Sequence, residues 1–113
     1  MYSELFQKTY ELLRWVYPVV NKFPRKQRLI LSQRIEVTTI RILELVIDLS
    51  ESNTADKMKK IMHEIHKLQI LFRICKDLSY MSFKDYECAS VMLNELSAML
   101  NGEGYGKNLR KFV

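Results

Sequence analysis

The stretch Lys22-Phe-Pro-Arg-Lys-Gln-Arg-Leu-Ile-Leu-Ser-Gln-Arg-Ile-Glu36 sets both the helical pattern and the charge of this chain. Phe23-Pro24 predicts the start of a helix, because proline fits the first turn, where a missing N–H costs nothing. Four positive side chains crowd that start within seven positions: Lys22, Arg25, Lys26 and Arg28. The positive end of the helix dipole lies at the same place, so the field there favours anions over cations. We interpret the cluster as a phosphate-binding feature; the alternative is a group of solvated charges.

Helical spacing continues outward from this stretch in both directions. The second helix is predicted over about residues 24–49, because its apolar positions step by three and four. These positions are Leu31, Ile35, Thr38, Ile42, Leu45 and Leu49. Similar patterns predict helices over about 4–21, 54–78 and 83–101. The expected core positions are Ile61, Ile65, Leu68, Phe72 and Cys75 in the third helix and Tyr86, Ala89, Leu93, Leu96 and Leu100 in the fourth. Ser3, Thr54 and Ser82 are the expected N-caps, and Pro18 is expected to kink or end the first helix.

Short polar turns separate the predicted helices. Turns of about five residues or fewer force sequential helices to lie antiparallel. The sequence therefore predicts an all-α fold, an up-down-up-down four-helix bundle over residues 1–101, with a basic, flexible tail over 102–113. The start of the second helix, the end of the third and the start of the fourth then share one end of the bundle.

That shared end is expected to be the more positive one. It carries seven cations against three carboxylates: Lys22, Arg25, Lys26, Arg28, Arg73, Lys76 and Lys84 against Asp77, Asp85 and Glu87. The opposite end mixes signs. Arg34 and Arg41 lie seven residues apart and extend a basic line along the second helix, although Arg41 could instead pair with Glu36 or Glu44.

More apolar side chains are present than one four-helix core needs. The second helix adds seven to its core line: Leu29, Ile30, Val37, Ile40, Leu43, Val46 and Ile47. The fourth adds Val91, Met92 and Met99, and the first carries a stripe of aromatic rings. An exposed apolar patch usually marks an interface, so we expect a homo-oligomer. The alternative is one generous core in a monomer.

Composition and motifs narrow the possible functions. The 113 residues suit one domain, and the net charge of +5 suggests an acidic partner such as nucleic acid. No apolar run is long enough to cross a bilayer, so a cytoplasmic protein is expected. Cys75 and Cys88 are expected to be buried, reduced thiols, because a metal site needs closer spacing and more ligands.

Metal binding and catalysis are not expected. In His63-Glu64-Ile65-His66, a zinc-peptidase pattern would need histidine at position 67, which is lysine. A di-iron bundle would need glutamate where Lys60 stands. The histidines are expected on the outer face of the third helix. Serines cluster in turns, no glycine-rich phosphate loop is present, and no cofactor is predicted.

Several segments resemble the Avd family, the accessory variability determinants of diversity-generating retroelements. They are Tyr10-Glu-Leu-Leu-Arg-Trp15 with Pro18, Phe23-Pro-Arg-Lys-Gln-Arg28, Gln33-Arg-Ile-Glu36, Lys67-Leu-Gln-Ile-Leu-Phe-Arg-Ile-Cys-Lys-Asp-Leu78 and Tyr86-Glu87. The resemblance spans about residues 5–100. The related proteins of 23S rRNA intervening sequences typically carry a Ser-Ile-Pro-Ala-Asn-Ile-Ala-Glu-Gly-like stretch in the second helix. This chain has Glu36-Val-Thr-Thr-Ile-Arg-Ile-Leu-Glu44 there, which favours the Avd branch.

The resemblance implies a ring-shaped homo-oligomer, a pentamer, that is not an enzyme. It implies binding to a reverse transcriptase and to its template RNA, with DNA as a further possible ligand, in support of mutagenic reverse transcription. The basic positions carried over from the family are Arg25, Lys26, Arg28, Arg34 and Arg41. Lys22, Arg73 and Lys76 join them from the charge argument alone. The alternative is an orphan or intervening-sequence-type scaffold with a protein-only partner.

Overall fold

The computed structural model describes residues 4–52 and 54–102, apart from the side chains of residues 25–28, and this part of the chain forms four helices. They are α1 (Glu4–Val20), α2 (Arg25–Glu51), α3 (Ala55–Asp77) and α4 (Phe83–Gly102). Each helix packs against its two neighbours in the order α1–α2–α3–α4–α1. The predicted all-α four-helix bundle is confirmed, and every boundary lies within two residues of its prediction.

Burial follows the predicted faces closely. All five predicted core positions of α3 are buried, namely Ile61, Ile65, Leu68, Phe72 and Cys75. In α4 the predicted positions Ala89, Leu93, Leu96 and Leu100 are buried as well. Tyr86, Leu31 and Leu45 pack only partly buried against this core. The apolar spacing therefore identified the inward faces, and its errors fall at their margins.

The turn between α1 and α2 is closed by an aromatic side chain. Pro18 lies inside α1, which ends two residues later at Val20, as the sequence predicted. Phe23 is buried, and its ring lies 6.2 Å from that of Tyr80 in the α3–α4 turn. The two turns therefore meet at one end of the bundle. Pro24 is the N-cap of α2 rather than its first helical residue, a correction of one position.

Two of the predicted N-caps are made by side chains. The Thr54 hydroxyl accepts a hydrogen bond from the Lys57 N–H at 3.2 Å, and the Ser82 hydroxyl accepts one from the Asp85 N–H at 3.0 Å. Each satisfies a backbone donor that the helix itself leaves without a partner. Ser3 and the predicted tail beyond Gly102 lie outside the described residues.

The end of α3 is fixed by a Schellman motif. The Tyr80 N–H donates to the Cys75 carbonyl at 2.8 Å, and the Ser79 N–H donates to the Lys76 carbonyl at 3.0 Å. Ser79 adopts a left-handed φ of 63°, a conformation in which glycine is favoured because it has no Cβ. The tight reversal that brings α4 back along α3 therefore carries a small backbone strain at Ser79.

Two predictions about apolar residues have different outcomes. Cys75 is buried, but Cys88 is exposed, so the expectation of two buried thiols is wrong for Cys88. Cys88 lies one position before the inward-facing Ala89, which turns its side chain away from the core. The expected surplus of apolar surface is present in the single chain, where Leu29, Ile30, Val37 and Val91 are all exposed.

Candidate nucleic-acid interface

The two ends of the bundle carry different net charges. We call residues 14–36 and 68–90, which flank the α1–α2 and α3–α4 turns, the basic end. By sequence the basic end holds nine lysines and arginines against four acidic residues. We call residues 4–13, 37–67 and 91–102 the mixed end; it holds six basic and eight acidic residues. The basic end therefore carries all of the positive excess of the bundle, while the mixed end is slightly negative, as the topology predicted.

The start of α2 is built to favour an anion. Pro24 offers no side-chain cap, and the first turn of α2 contains no acidic residue. The N–H groups of a first helical turn have no partner within the helix, and the dipole adds positive potential. The sequence adds Arg25, Lys26 and Arg28 to this turn; the structure describes their backbone within α2, while their side chains lie outside the described part.

Two other predicted residues stand near this helix start. Lys22 is exposed, and its ammonium lies 3.2 Å from the Asp85 carboxylate, which links the α1–α2 turn to the start of α4. Arg34 is exposed on α2 and makes no ion pair with the side chains that the structure describes. Of the two predicted α2 cations whose side chains the structure describes, Arg34 and Arg41, Arg34 is the one without an ion pair.

Arg41 is held by a residue that sequence reasoning did not choose. Its Nε lies 3.5 Å from Glu64 Oε2, and the Lys67 ammonium lies 3.1 Å from the same oxygen. Glu36 and Glu44 were the expected partners, so the expected pairing is corrected to Glu64 on α3. Only 7% of the Glu64 side chain is exposed, and two cations compensate the cost of burying its carboxylate.

The position of Glu64 could have been found from the sequence. Glu64 lies three residues after Ile61 and one before Ile65, so it shares the inward face of α3 with Ile61, Ile65 and Leu68. A carboxylate in such a series needs a cation from the neighbouring helix. Attention to His63 and His66, which are both exposed as predicted, concealed this signal.

Arg73 and Lys76 are brought together at the end of α3. The Arg73 guanidinium lies 3.8 Å and the Lys76 ammonium 3.4 Å from opposite oxygens of Asp77, all within one helical turn. The Lys76 ammonium also lies 4.8 Å from the centre of the Tyr86 ring. Two predicted cations thus share a site with an aromatic ring of α4, and sequence reasoning had placed Tyr86 only in the core.

Other chemistry is limited in the described part of the chain. Residues 4–52 and 54–102 contain no group of three or more side chains suited to hold a metal ion. Burial raises the pKa of the Cys75 thiol to about 11, which keeps it protonated and unreactive at neutral pH. No helix in the same residues is long and apolar enough to cross a membrane.

Fold and charge together define a small all-helical protein with one strongly basic end. The model of the bAvd-like family matches residues 4–104, nearly the whole chain, and the protein belongs to that family. The resemblance drawn from the sequence is thereby confirmed. A search of curated proteins gave no significant match.

Proposed function

We propose that this protein is a non-enzymatic accessory protein of a diversity-generating retroelement. In this role it binds the reverse transcriptase of the element and its template RNA, and it supports mutagenic cDNA synthesis. Membership of the bAvd-like family is the observation that carries the proposal. The basic end supplies the surface for nucleic acid.

The charge distribution supports contact with a phosphate backbone. By sequence, nine lysines and arginines stand against only four acidic residues at the basic end, so its positive charge is not balanced locally. Phosphate contacts of this kind are largely independent of sequence and release counterions when they form. A reverse transcriptase accessory factor needs contacts that do not depend on base sequence, because it must stay bound to one template through many steps of synthesis.

The apolar surface supports assembly into a ring, for which we propose a pentamer. Leu29, Ile30 and Val37 are exposed on α2, and on α4 Val91 is exposed next to the partly buried Met92. These two helices lie diagonally across the bundle, because each packs against α1 and α3. Two different apolar surfaces on opposite sides suit head-to-tail contacts, which close into a ring when the rotation permits.

The test is reverse transcription reconstituted with the reverse transcriptase and the template RNA of the proposed element. We expect the protein to co-purify with both and to be required for cDNA synthesis. Reversal of Arg25, Lys26 and Arg28 to glutamate should abolish RNA capture, while helicity by circular dichroism and mass by light scattering persist. Those substitutions place acids in the first turn of α2, where the dipole stabilises them, so misfolding does not explain a loss.

A matched control comes from the mixed end. Reversal of Lys8, Lys59 and Lys60 changes the net charge by the same amount within the mixed end, and the ion pairs that these lysines make with described residues are exposed. We expect this variant to retain RNA capture and cDNA synthesis. An equal loss of RNA capture in both variants would mean that net charge alone, and not the position of the cations, determines binding. Binding to the enzyme with no RNA affinity at low salt would favour a protein-only scaffold.

A further inference from the structure

A groove of about 300 Å³ runs between α3 and α4 at the basic end. Its size lies at the lower limit of small-ligand pockets, enough for one planar ring rather than for a large cofactor. Phe72, Ala89 and Leu93 contribute apolar floor, and Ile70 forms part of the rim. The groove is open to solvent and lies beside the paired cations Arg73 and Lys76.

Aromatic rings mark one end of this groove. Tyr86 lines it, and the ring of Phe83 lies 6.4 Å from that of Tyr86. Phe83 is 63% exposed, although it stands in the first turn of a helix with a buried face available. The two rings are tilted by 39° to each other, and the exposed face of Phe83 beside the half-buried Tyr86 is one on which a nucleobase can stack.

The cations lie on the same side as the rings. Arg73 lines the groove, and the Lys76 ammonium sits 4.8 Å from the Tyr86 ring centre. Asp77 pairs with both cations in the unbound chain, but it is more than half exposed. Exposed pairs of this kind are weak, so a phosphate can displace Asp77 at little cost.

Uncharged polar groups complete the lining. Gln69, Ser90 and Asn94 all border the groove and make no side-chain hydrogen bond with the described residues. Amide groups carry both donors and acceptors, and the hydroxyl carries one of each, which suits the edge of an unpaired base. Rings, cations and amides are thus combined within about two turns of α3 and about three turns of α4.

We propose that this groove binds unpaired nucleotides of RNA, with a base stacked at Phe83 and Tyr86 and the adjoining phosphate on Arg73 and Lys76. The inference rests on the proposed function and deepens it, since it specifies single-stranded rather than duplex RNA. Bases within a duplex are already stacked and paired, so they cannot enter a groove of this kind. Stacking on aromatic rings tolerates any base sequence, as a template-holding protein requires.

The test measures the affinity of the full chain for two probes by fluorescence anisotropy. One probe is an unpaired RNA of about ten nucleotides, and the other is a duplex RNA of the same length. We expect Phe83→Ala to weaken binding of the unpaired RNA about tenfold and that of the duplex less than twofold. Phe83→Leu, which keeps the apolar bulk without the ring, should behave in the same way. Asp77→Asn should tighten binding of the unpaired RNA roughly threefold, because it frees both cations.

Tyr17→Ala is the matched control, since Tyr17 is an exposed aromatic residue of α1 at the same end of the bundle and does not line this groove. It should leave both affinities unchanged. If Phe83→Ala and Phe83→Leu bind the unpaired RNA like the parent protein, or weaken binding of both probes equally, the groove assignment is wrong while the proposed function stands. If the parent protein binds neither probe at low salt, the proposed function fails together with the groove.

Discussion

The two ends of this bundle are held together by different means. At the basic end, buried Phe23 lies against Tyr80, and a Schellman motif turns the chain from α3 into α4. At the mixed end, the extended residue Ser52 ends α2, and the Lys57 ammonium donates to the Asp48 carbonyl at 3.0 Å. The basic end thus relies on apolar packing and backbone geometry, whereas the mixed end joins its helices with a polar contact.

This difference explains how the basic end can tolerate its charge. A cluster of cations repels itself and weakens the fold when ion pairs hold the structure. Here buried Phe23 and backbone hydrogen bonds fix the turns, and the ion pair of Lys22 with Asp85 is exposed, so the cations contribute little to folding. They remain available for a partner that brings negative charge.

The largest effect should come from removing the apolar anchor of the basic end. We expect Phe23→Ala to lower the free energy of unfolding by about 3–5 kcal/mol, because a buried ring is replaced by a cavity. Lys22→Ala, which breaks the exposed pair with Asp85, should cost at most about 1 kcal/mol. Urea denaturation, monitored by circular dichroism, measures the free energy of unfolding of both variants. Similar costs for both variants would mean that ion pairing, not packing, holds this end.

The reactivity of the two cysteines distinguishes the buried interior of the basic end from its exposed surface. Burial raises the pKa of Cys75 from 9.0 to about 11, so at pH 8 its thiolate is about 100-fold scarcer than in an unfolded chain. We expect Cys88 to react promptly with a thiol reagent and Cys75 to react only on unfolding.

The same shift predicts a pH dependence of stability. The unfolded thiol ionises first, so the free energy of unfolding should hold below pH 9 and fall as the pH rises towards 11. Cys88→Ser isolates Cys75 for the reactivity measurement, and Cys75→Ala supplies the reference for the pH titration. Prompt modification of Cys75 in the folded chain would contradict its burial.

A smaller effect distinguishes the two turns. Ser79 has a φ of 63°, so Ser79→Gly should raise the free energy of unfolding by about 1 kcal/mol. Ser52 at the mixed end has a φ of −154°, which any residue adopts, and Ser52→Gly should give no gain. Thermal unfolding monitors both variants. An equal response would show that the Schellman turn is not strained.

The smallest effect concerns two arginines of α2. Arg34 makes no ion pair with described residues, whereas Arg41 pairs with Glu64. We expect Arg34→Ala to weaken RNA binding roughly threefold and Arg41→Ala less than twofold, because the Arg41 charge is already compensated. Titration of a structured RNA at one fixed salt concentration measures both. A larger loss at Arg41 would extend the nucleic-acid surface into the mixed end.

Much of the fold could be predicted from the sequence because helices depend on local spacing. Apolar steps of three and four located the inward faces of α3 and α4, and short polar turns fixed the antiparallel order. Errors arose at the margins of those faces. Cys88 lies one position before the buried Ala89, so its side chain is rotated by about 100° around the helix axis and is exposed. The apolar character of cysteine alone does not reveal this rotation.

The candidate site was less predictable because it depends on contacts between helices. Local sequence offered Glu36 and Glu44 as partners of Arg41, but the partner is Glu64 on α3. The meeting of Lys76 with Tyr86 likewise requires the relative rotation of α3 and α4. Charge at the two ends followed from topology alone and could be foreseen.

The central claim is that the basic end binds nucleic acid, and the salt dependence of RNA affinity tests it most directly. The affinity of the parent protein is compared with that of two variants, one reversed at Arg25, Lys26 and Arg28 and the other at Lys8, Lys59 and Lys60. We expect the slope of log affinity against log salt to fall by about two to three units in the first variant, because each phosphate that is no longer neutralised removes about 0.7–0.9. In the second variant the slope should stay unchanged. Equal slopes in all three proteins would contradict the account.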